Sequence, residues 1–137
     1  MLKQIDKGFW SDKKILITGH TGFKGAWLSC ILKFLGCRIS GLSDQKIQSD
    51  LYQSLDFSKI LENEYAIDVS LTTSTLKQVF SMEYDLVFHF AAQGLVSKAK
   101  ENPRETINSN IIGTYNILEA INLHCKTPCL IVATTDK

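Results

Sequence analysis

Three glycines near the start of the chain have the spacing that a diphosphate site needs. Gly19, Gly22 and Gly25 follow an apolar run at residues 14–18 and precede a helix-like sequence. The first glycine permits a tight turn, the second lets the backbone approach phosphate oxygens, and the third lets helix and strand pack closely. N–H groups at the helix start then attract negative charge. The turn predicts a phosphate site, with a glycine-rich turn that holds no ligand as the alternative.

The same residues exclude the nearest rival motif. A phosphate-binding P-loop needs Gly-Lys followed by Ser or Thr, whereas Lys24 is followed by Gly25. The turn therefore favours a dinucleotide over a nucleoside triphosphate.

Strands and helices alternate along the chain. Strands are expected at about residues 14–18, 37–42, 64–69, 84–92 and 129–133, and helices at about 23–35, 51–61, 72–81 and from 103 onward. Apolar residues at helical spacing predict the buried faces of the first and last helices, at positions 23, 27, 28, 31, 32 and 35 and at positions 107, 111, 115, 118 and 121. Such alternation implies right-handed crossovers and a parallel sheet. The prediction is an α/β fold with a Rossmann-type doubly wound parallel sheet of order 3-2-1-4-5, truncated after the fifth strand, in one dinucleotide-binding domain over residues 1–137.

Composition excludes several other classes of protein. The chain has 137 residues, 45% of them hydrophobic, and a formal net charge of +1. This near-neutral balance argues against broad nucleic-acid binding. No apolar run is long enough for a membrane span or a signal peptide, so we expect a cytoplasmic location. The four cysteines form no metal-site pair, and the sequence predicts no metal.

The residues that leave each strand are the candidate ligand contacts, because ligands of such sheets lie across the carboxyl ends of the strands. Ser43 and Asp44 follow the second strand, and Asp44 stands about 20 residues beyond the glycine turn, where a carboxylate can bond a ribose hydroxyl. This favours NAD over NADP, because a carboxylate repels the extra phosphate and no Arg or Lys immediately follows the strand. A solvated loop carboxylate is the alternative. Asp68 and Val69 leave the third strand and are candidates to meet the adenine, with a loop aspartate again as the alternative.

The fourth strand and the last helix add further candidates. Small residues at 91 and 92, before Gln93, leave room for a flat cofactor. His89 lies inside the strand, where a hydrogen-bonded core histidine is favoured over a catalyst. Asn110 points toward the buried flank of the helix, where a structural and an active-site role both remain open.

Together these residues resemble the extended short-chain dehydrogenase/reductases of the NAD-dependent epimerase/dehydratase family, and within them the CDP-glucose 4,6-dehydratases. Glycines spaced three and three, rather than two and three, fit the short-chain reductase pattern. The resemblance runs from Phe9-Trp10 to the last residue, through Thr18 to Gly25 with Trp27-Leu28, His89 to Gln93, Asn110 with Gly113-Thr114, Leu118-Glu119-Ala120, and Thr134 to Lys137.

The resemblance implies roles for the last three residues. Thr135 matches the residue that bonds the sugar hydroxyl being oxidised, Asp136 matches the acid that protonates the departing hydroxyl on carbon 6, and Lys137 marks the CDP-glucose subgroup. The reaction implied is oxidation at carbon 4 by NAD, elimination of water and return of the hydride to carbon 6. The cofactor contacts expected are Gly19, Thr21, Gly22, Phe23, Lys24, Gly25, Ser43, Asp44, Asp68, Val69, Phe90, Ala91, Ala92, Gln93 and Asn110.

The chain also departs from the family. Gly94 replaces a proline, Ser97 replaces an arginine, and Ala99-Lys100 replaces a Ser-Tyr pair. None of its tyrosines is followed four positions later by lysine, the pair with which the family takes the proton of the reacting hydroxyl. We therefore expect the amino-terminal cofactor half of a homo-oligomeric nucleotide-sugar enzyme, unable to turn over alone. A non-catalytic nucleotide-binding module, pairing through the edge strand at 130–132, and another epimerase or dehydratase of the family are the alternatives.

Overall fold

The sheet has the topology that the sequence predicts. The computed structural model describes residues 5–46, 48–124 and 129–134. Five parallel strands lie in the order β3-β2-β1-β4-β5. Their bounds are β1 Lys14–Thr18, β2 Arg38–Ser43, β3 Asn63–Ala66, β4 Leu86–His89 and β5 Cys129–Val132. The Rossmann-type fold and the strand order are confirmed.

Helices cover both faces of this sheet. Their bounds are α1 Lys7–Trp10, α2 Phe23–Phe34, α3 Asp50–Ser54, α4 Thr73–Leu76, α5 Val96–Glu101, α6 Pro103–Ile107 and α7 Gly113–His124, with a 3₁₀ turn at Phe57–Lys59 and a π-helical turn at Asn108–Ile112. Alternate residues of β1 enter two cores: Ile15 and Ile17 pack on the side of α2, and Leu16 packs on the side of α7. All three are fully buried, which explains the continuous apolar run of this strand.

The predicted buried face of α2 is wrong for its bulky members. Phe23, Trp27 and Ile31 are about half exposed or more. The helix instead buries Gly25, Ala26, Ser29 and Leu32. Small side chains let a helix axis come close to the sheet, so size as well as hydrophobicity decides which face turns inward.

The last helix shows the same error for the same reason. Ile107, Ile111, Tyr115 and Leu118, predicted to be buried, are about half exposed or more, and the buried residues of α7 are Gly113, Asn116, Ile117 and Ala120. A Cβ on Gly113 would lie 2.6 Å from Val69 Cγ2. The buried Asn116 amide donates to the carbonyls of Val69 and Leu71, so this polar side chain has hydrogen-bond partners on the inner face of the helix.

Several elements are shorter or more divided than predicted. β4 ends at His89 rather than at residue 92. The Phe90 N–H is shared between the carbonyl and the hydroxyl of Thr18, and the Ala91 N–H donates to the Thr18 hydroxyl. α4 ends at Leu76, and α5 precedes the predicted start of the last helix, itself divided by the π-helical turn. Within the described ranges, no helix is long and apolar enough to cross a membrane.

Candidate cofactor site

A cavity of about 520 Å³ opens where the strands end, a size ordinary for small-molecule sites, which span about 300–1,000 Å³. Eleven of the predicted cofactor contacts line it: Gly19, Thr21, Gly22, Ser43, Asp44, Asp68, Val69, Phe90, Ala91, Ala92 and Gln93. The fold thus gathers predicted contacts as far apart in the sequence as Gly19 and Gln93 into one wall. The other four, Phe23, Lys24, Gly25 and Asn110, lie outside that wall.

The glycine turn forms one part of the wall. Gly19 has a φ of +72°, which favours glycine, and its N–H donates to the Leu42 carbonyl at 2.7 Å. A Cβ on Gly25 would lie 2.3 Å from the Gly19 carbonyl oxygen, so α2 packs directly against the turn. Gly22, the N-cap residue, has no side chain to bond the first N–H groups of α2. Phe23 and Lys24 are exposed in that first turn. The backbone is therefore open to an anionic ligand.

A second part, which we name the carboxylate end, consists of Ser43, Asp44, Lys46 and Asp68. Lys46 Nζ lies 3.3 Å from an oxygen of each aspartate and joins the loops after β2 and β3. These partners raise the pKa of Lys46. Burial raises the pKa of Asp68, but bonds from Ser70 and Lys46 outweigh it and hold the pKa below its usual value.

Lys46 qualifies the reasoning about cofactor choice. No cation follows β2 immediately, but one stands two residues beyond Asp44 and contacts it. Strand-end reasoning missed Lys46, although its short separation from Asp44 was a usable signal. The carboxylate end therefore holds one cation against two carboxylates.

Beneath the glycine turn lies a histidine that sequence reasoning did not single out. His20 is fully buried, and its Nε2 lies 2.7 Å from Glu64 Oε1, an oxygen that also accepts from the Tyr52 hydroxyl. Burial, followed by the bond to Glu64, raises the pKa of Tyr52 to about 12. His20 Nδ1 has no hydrogen-bond partner among the described residues. Gly41 makes room for the ring, because a Cβ there would lie 2.6 Å from it.

A third group of residues, which we name the histidine end, consists of the loop 91–93 and of Thr18, His89, Asn110 and Thr114 behind it. Only the loop lines the cavity. Asn110 Oδ1 accepts from the Gln93 N–H at 2.7 Å, and its Nδ2 donates to the Gln93 carbonyl at 3.0 Å. His89 lies 2.7 Å from the Thr18 hydroxyl and 2.9 Å from the Thr114 hydroxyl. Burial lowers the pKa of His89 to about 4, so the imidazole is neutral at physiological pH.

Residues of α5, α6, the residue between them and the π-helical turn also line the cavity, and none of them follows a strand. They are Lys98, Asn102, Arg104, Glu105, Asn108 and Ser109. Lys98 and Arg104 add positive charge to a cavity predicted to hold a diphosphate. The predicted catalytic residues Thr135, Asp136 and Lys137 lie outside the described residues.

This arrangement suits a dinucleotide. The glycine turn offers backbone N–H groups and a helix N-terminus to a diphosphate. Asp44 and Asp68 offer acceptors to ribose hydroxyls at the ends of neighbouring strands. Ala91 and Ala92 leave space beside β4 for a flat ring.

Known proteins share both the sequence and the fold. Residues 15–137 match the model of the NAD dependent epimerase/dehydratase family. The chain is 33% identical over 134 residues to CDP-glucose 4,6-dehydratase of Salmonella typhimurium, covering 97% of this chain and 37% of that protein. It is 38% identical over 133 residues to UDP-glucose 4-epimerase of Rickettsia bellii, covering 92% and 37%.

Solved structures agree on the fold. The UDP-glucose 4-epimerase of Bifidobacterium longum in complex with NAD+ and UDP superposes with a TM-score of 0.78 at 20% identity, over 90% of this chain and 37% of that one. The chain thus spans just over a third of the length of the relatives it matches. The predicted cofactor, NAD, is the cofactor of the matching family. The chain belongs to the NAD-dependent epimerase/dehydratase family.

Proposed function

We propose that this chain is the NAD-binding part of a nucleotide-sugar 4,6-dehydratase that acts on CDP-glucose. The observation that carries the proposal is the cavity that joins the glycine turn, the carboxylate end and the small residues after β4. The 33% identity to a CDP-glucose 4,6-dehydratase supports the choice of substrate. When bound, NAD+ supplies the hydride acceptor and later the hydride donor of the reaction.

In that scheme, the residues of this chain bind the cofactor and orient the sugar. The N–H groups of the turn hold the diphosphate, and Asp44 accepts from a ribose hydroxyl. Thr135 bonds the sugar hydroxyl that is oxidised, and Asp136 gives its proton to the hydroxyl that leaves carbon 6 as water. A ketone at carbon 4 acidifies the C–H of carbon 5. Lys137 acts as the base for that proton if burial or a nearby positive charge depresses its pKa.

UDP-glucose 4-epimerization is the second candidate function. The higher identity to the Rickettsia bellii epimerase, 38%, favours it. An epimerase returns the hydride to carbon 4 and needs no acid at carbon 6. The two candidates therefore differ in whether Asp136 is required.

A chimeric enzyme tests the proposal. We would join residues 1–137 in one reading frame to the part of the Salmonella dehydratase that follows its matched region, and first verify NAD+ binding by calorimetry as a control for folding. With CDP-glucose, the chimera should form the 4-keto-6-deoxy product, and Asp136→Asn should reduce product formation about 100-fold, since general acid catalysis contributes about 10²–10⁴-fold.

The matched experiment uses UDP-glucose and follows formation of UDP-galactose. A chimera that binds NAD+ and epimerizes UDP-glucose but leaves CDP-glucose unchanged would contradict the dehydratase proposal. Full product formation by the Asp136→Asn variant would contradict the role of Asp136. The chain alone should convert neither sugar, because it lacks the Tyr-x-x-x-Lys pair.

A further inference from the structure

A continuous series of hydrogen bonds runs from the end of β1 to the π-helical turn. The Thr18 hydroxyl lies 2.7 Å from His89 Nδ1, and His89 Nε2 lies 2.9 Å from the Thr114 hydroxyl. The Thr114 hydroxyl donates in turn to the main-chain carbonyl of Asn110 at 2.7 Å. Thr18 and His89 are 0% and 2% exposed, so water does not compete for these groups.

The donors at the Thr18 end fix one tautomer of His89. The Ala91 N–H donates to Thr18 Oγ1 at 3.1 Å, and the Phe90 N–H is shared between the carbonyl and the hydroxyl of Thr18. These two N–H groups engage both lone pairs of the hydroxyl oxygen. The hydroxyl proton therefore goes to His89 Nδ1, which must be unprotonated.

The Thr114 end gives the same tautomer independently. The Asn110 carbonyl only accepts, so the Thr114 hydroxyl uses its proton there. Thr114 Oγ1 must then accept from His89 Nε2, which carries the proton. Both ends thus require a neutral imidazole protonated at Nε2 alone.

This network fixes the cavity loop from two sides. Thr18 holds the Ala91 N–H, and the Asn110 side chain holds both backbone groups of Gln93. The loop packs directly against the glycine turn, since a Cβ on Gly19 would lie 2.8 Å from Ala91 N. The two residues that hold the loop are Thr18 and Asn110. His89 connects them, because it bonds Thr18 directly and bonds Thr114, whose hydroxyl donates to the main-chain carbonyl of Asn110.

We propose that His89 is a positioning residue for the cofactor, which sets the distance of the loop 91–93 from the glycine turn through Thr18 and Thr114. It does not itself line the cavity. The inference rests on the proposed NAD binding of this cavity. It goes beyond the interpretation of His89 as a core histidine, because it predicts an effect on affinity in a protein that remains folded.

Calorimetric titration of NAD+ into His89 variants tests the proposal. His89→Phe keeps the ring shape but loses the acceptor and the donor, and it should weaken NAD+ binding about tenfold, the effect of losing about 1.4 kcal/mol of buried hydrogen bonding. His89→Gln keeps one acceptor and one donor and should restore affinity to within about threefold of the wild type. Equal affinity of folded His89→Phe and wild type would overturn the proposal.

Thr114→Val keeps the test decisive if His89→Phe does not fold. This nearly isosteric change breaks the link to Asn110 and should weaken NAD+ binding about fivefold, the effect of about 1 kcal/mol. Thr75→Val, on α4 and bonded to Thr72, is the matched control and should bind NAD+ normally. Unchanged binding by Thr114→Val would contradict the positioning role.

Nuclear magnetic resonance of the imidazole nitrogens supplies a readout that affinity alone does not. A ¹⁵N-labelled wild-type protein should show His89 protonated at Nε2 only at neutral pH. Protonation at Nδ1 would overturn the assignment. If the wild type itself does not bind NAD+, the proposed function fails, whereas binding that is insensitive to His89 and Thr114 refutes only this inference.

Discussion

At the carboxylate end of the cavity, charged side chains form ion pairs that solvent reaches. At the histidine end, buried neutral side chains form hydrogen bonds. The side chain of Lys46 is 64% exposed and those of Asp44 and Asp68 are about one-third exposed. Thr18 and His89 are almost fully buried. Exposed ion pairs contribute about 0–1 kcal/mol, whereas a buried polar group left unpaired costs about 1–3 kcal/mol. We propose that the carboxylate end selects the ligand and that the histidine end sets the geometry of the cavity.

The glycine turn serves both ends, so breaking it should have the largest effect. In Gly25→Ala, the new Cβ would lie 2.3 Å from the Gly19 carbonyl oxygen and 2.6 Å from His20 Cα, backbone atoms that cannot move aside. We expect a loss of about 3 kcal/mol in the free energy of unfolding and loss of NAD+ binding. Urea denaturation and calorimetry measure the two effects.

A second glycine provides the control for this variant. A Cβ on Gly94 would have nothing within 4 Å. Gly94→Ala should leave stability and NAD+ affinity unchanged. Normal NAD+ binding by Gly25→Ala would mean that the turn does not form the site.

Acid should weaken the histidine end next. The pKa of His89 is about 4 in the folded protein and about 6.5 in the unfolded chain, so the unfolded chain binds the proton first. Stability is full above about pH 6.5 and falls as the pH drops toward 4, with a loss of about 2.5 kcal/mol by pH 4.5. Urea denaturation between pH 7 and 4.5 measures it. His89→Gln should remove most of this pH dependence, and an unchanged slope in that variant would assign the titration to another group.

Cofactor choice should respond to Asp44. In Asp44→Asn, the Lys46 ammonium loses one carboxylate partner, and the ribose loses a charged acceptor. NAD+ affinity should fall about tenfold, since a hydrogen bond to a charged group contributes about 1.5–3 kcal/mol. NADP+ affinity should rise, because the carboxylate that repels its extra phosphate is gone. Calorimetry with both cofactors measures the ratio. Asp56→Asn, which breaks an exposed pair with Lys59 away from the cavity, is the control. An unchanged NAD+ to NADP+ ratio in Asp44→Asn would contradict selection by this carboxylate.

Removal of Lys46 alone should have the smallest effect. Its two ion pairs are exposed, so Lys46→Met should change the free energy of unfolding by about 0.5 kcal/mol or less and NAD+ affinity by less than about threefold. The same denaturation and calorimetry measurements apply. A tenfold loss of NAD+ affinity would show that charge, rather than buried hydrogen bonding, holds the cavity in shape.

The sequence was sufficient for the topology and for the turn. Alternating apolar segments and the glycines at 19, 22 and 25 determine the parallel sheet and the edge at which its ligand cavity lies. Hydrophobic periodicity failed for the facing of the helices. Bulky Trp27 and Tyr115 point outward because Gly25 and Gly113 let the backbones approach the turn and the loop after β3.

The connections of the candidate site were less predictable. Nothing in the spacing of Thr18, His89 and Thr114 shows that their hydroxyl and imidazole groups meet, because that depends on the register of β1 against β4 and on the packing of α7. The lysine at 46 and the cations at 98 and 104 enter the cavity from loops and short helices. Such positions depend on loop conformation, which carries no strict sequence period.

Titration of NAD+ into the purified chain is the direct test of the cofactor site. We expect one NAD+ bound per chain, tighter binding of NAD+ than of NADP+, loss of binding in Gly25→Ala and retention in Gly94→Ala. Absence of NAD+ binding by the folded wild type, or equal binding by Gly25→Ala, would contradict this expectation.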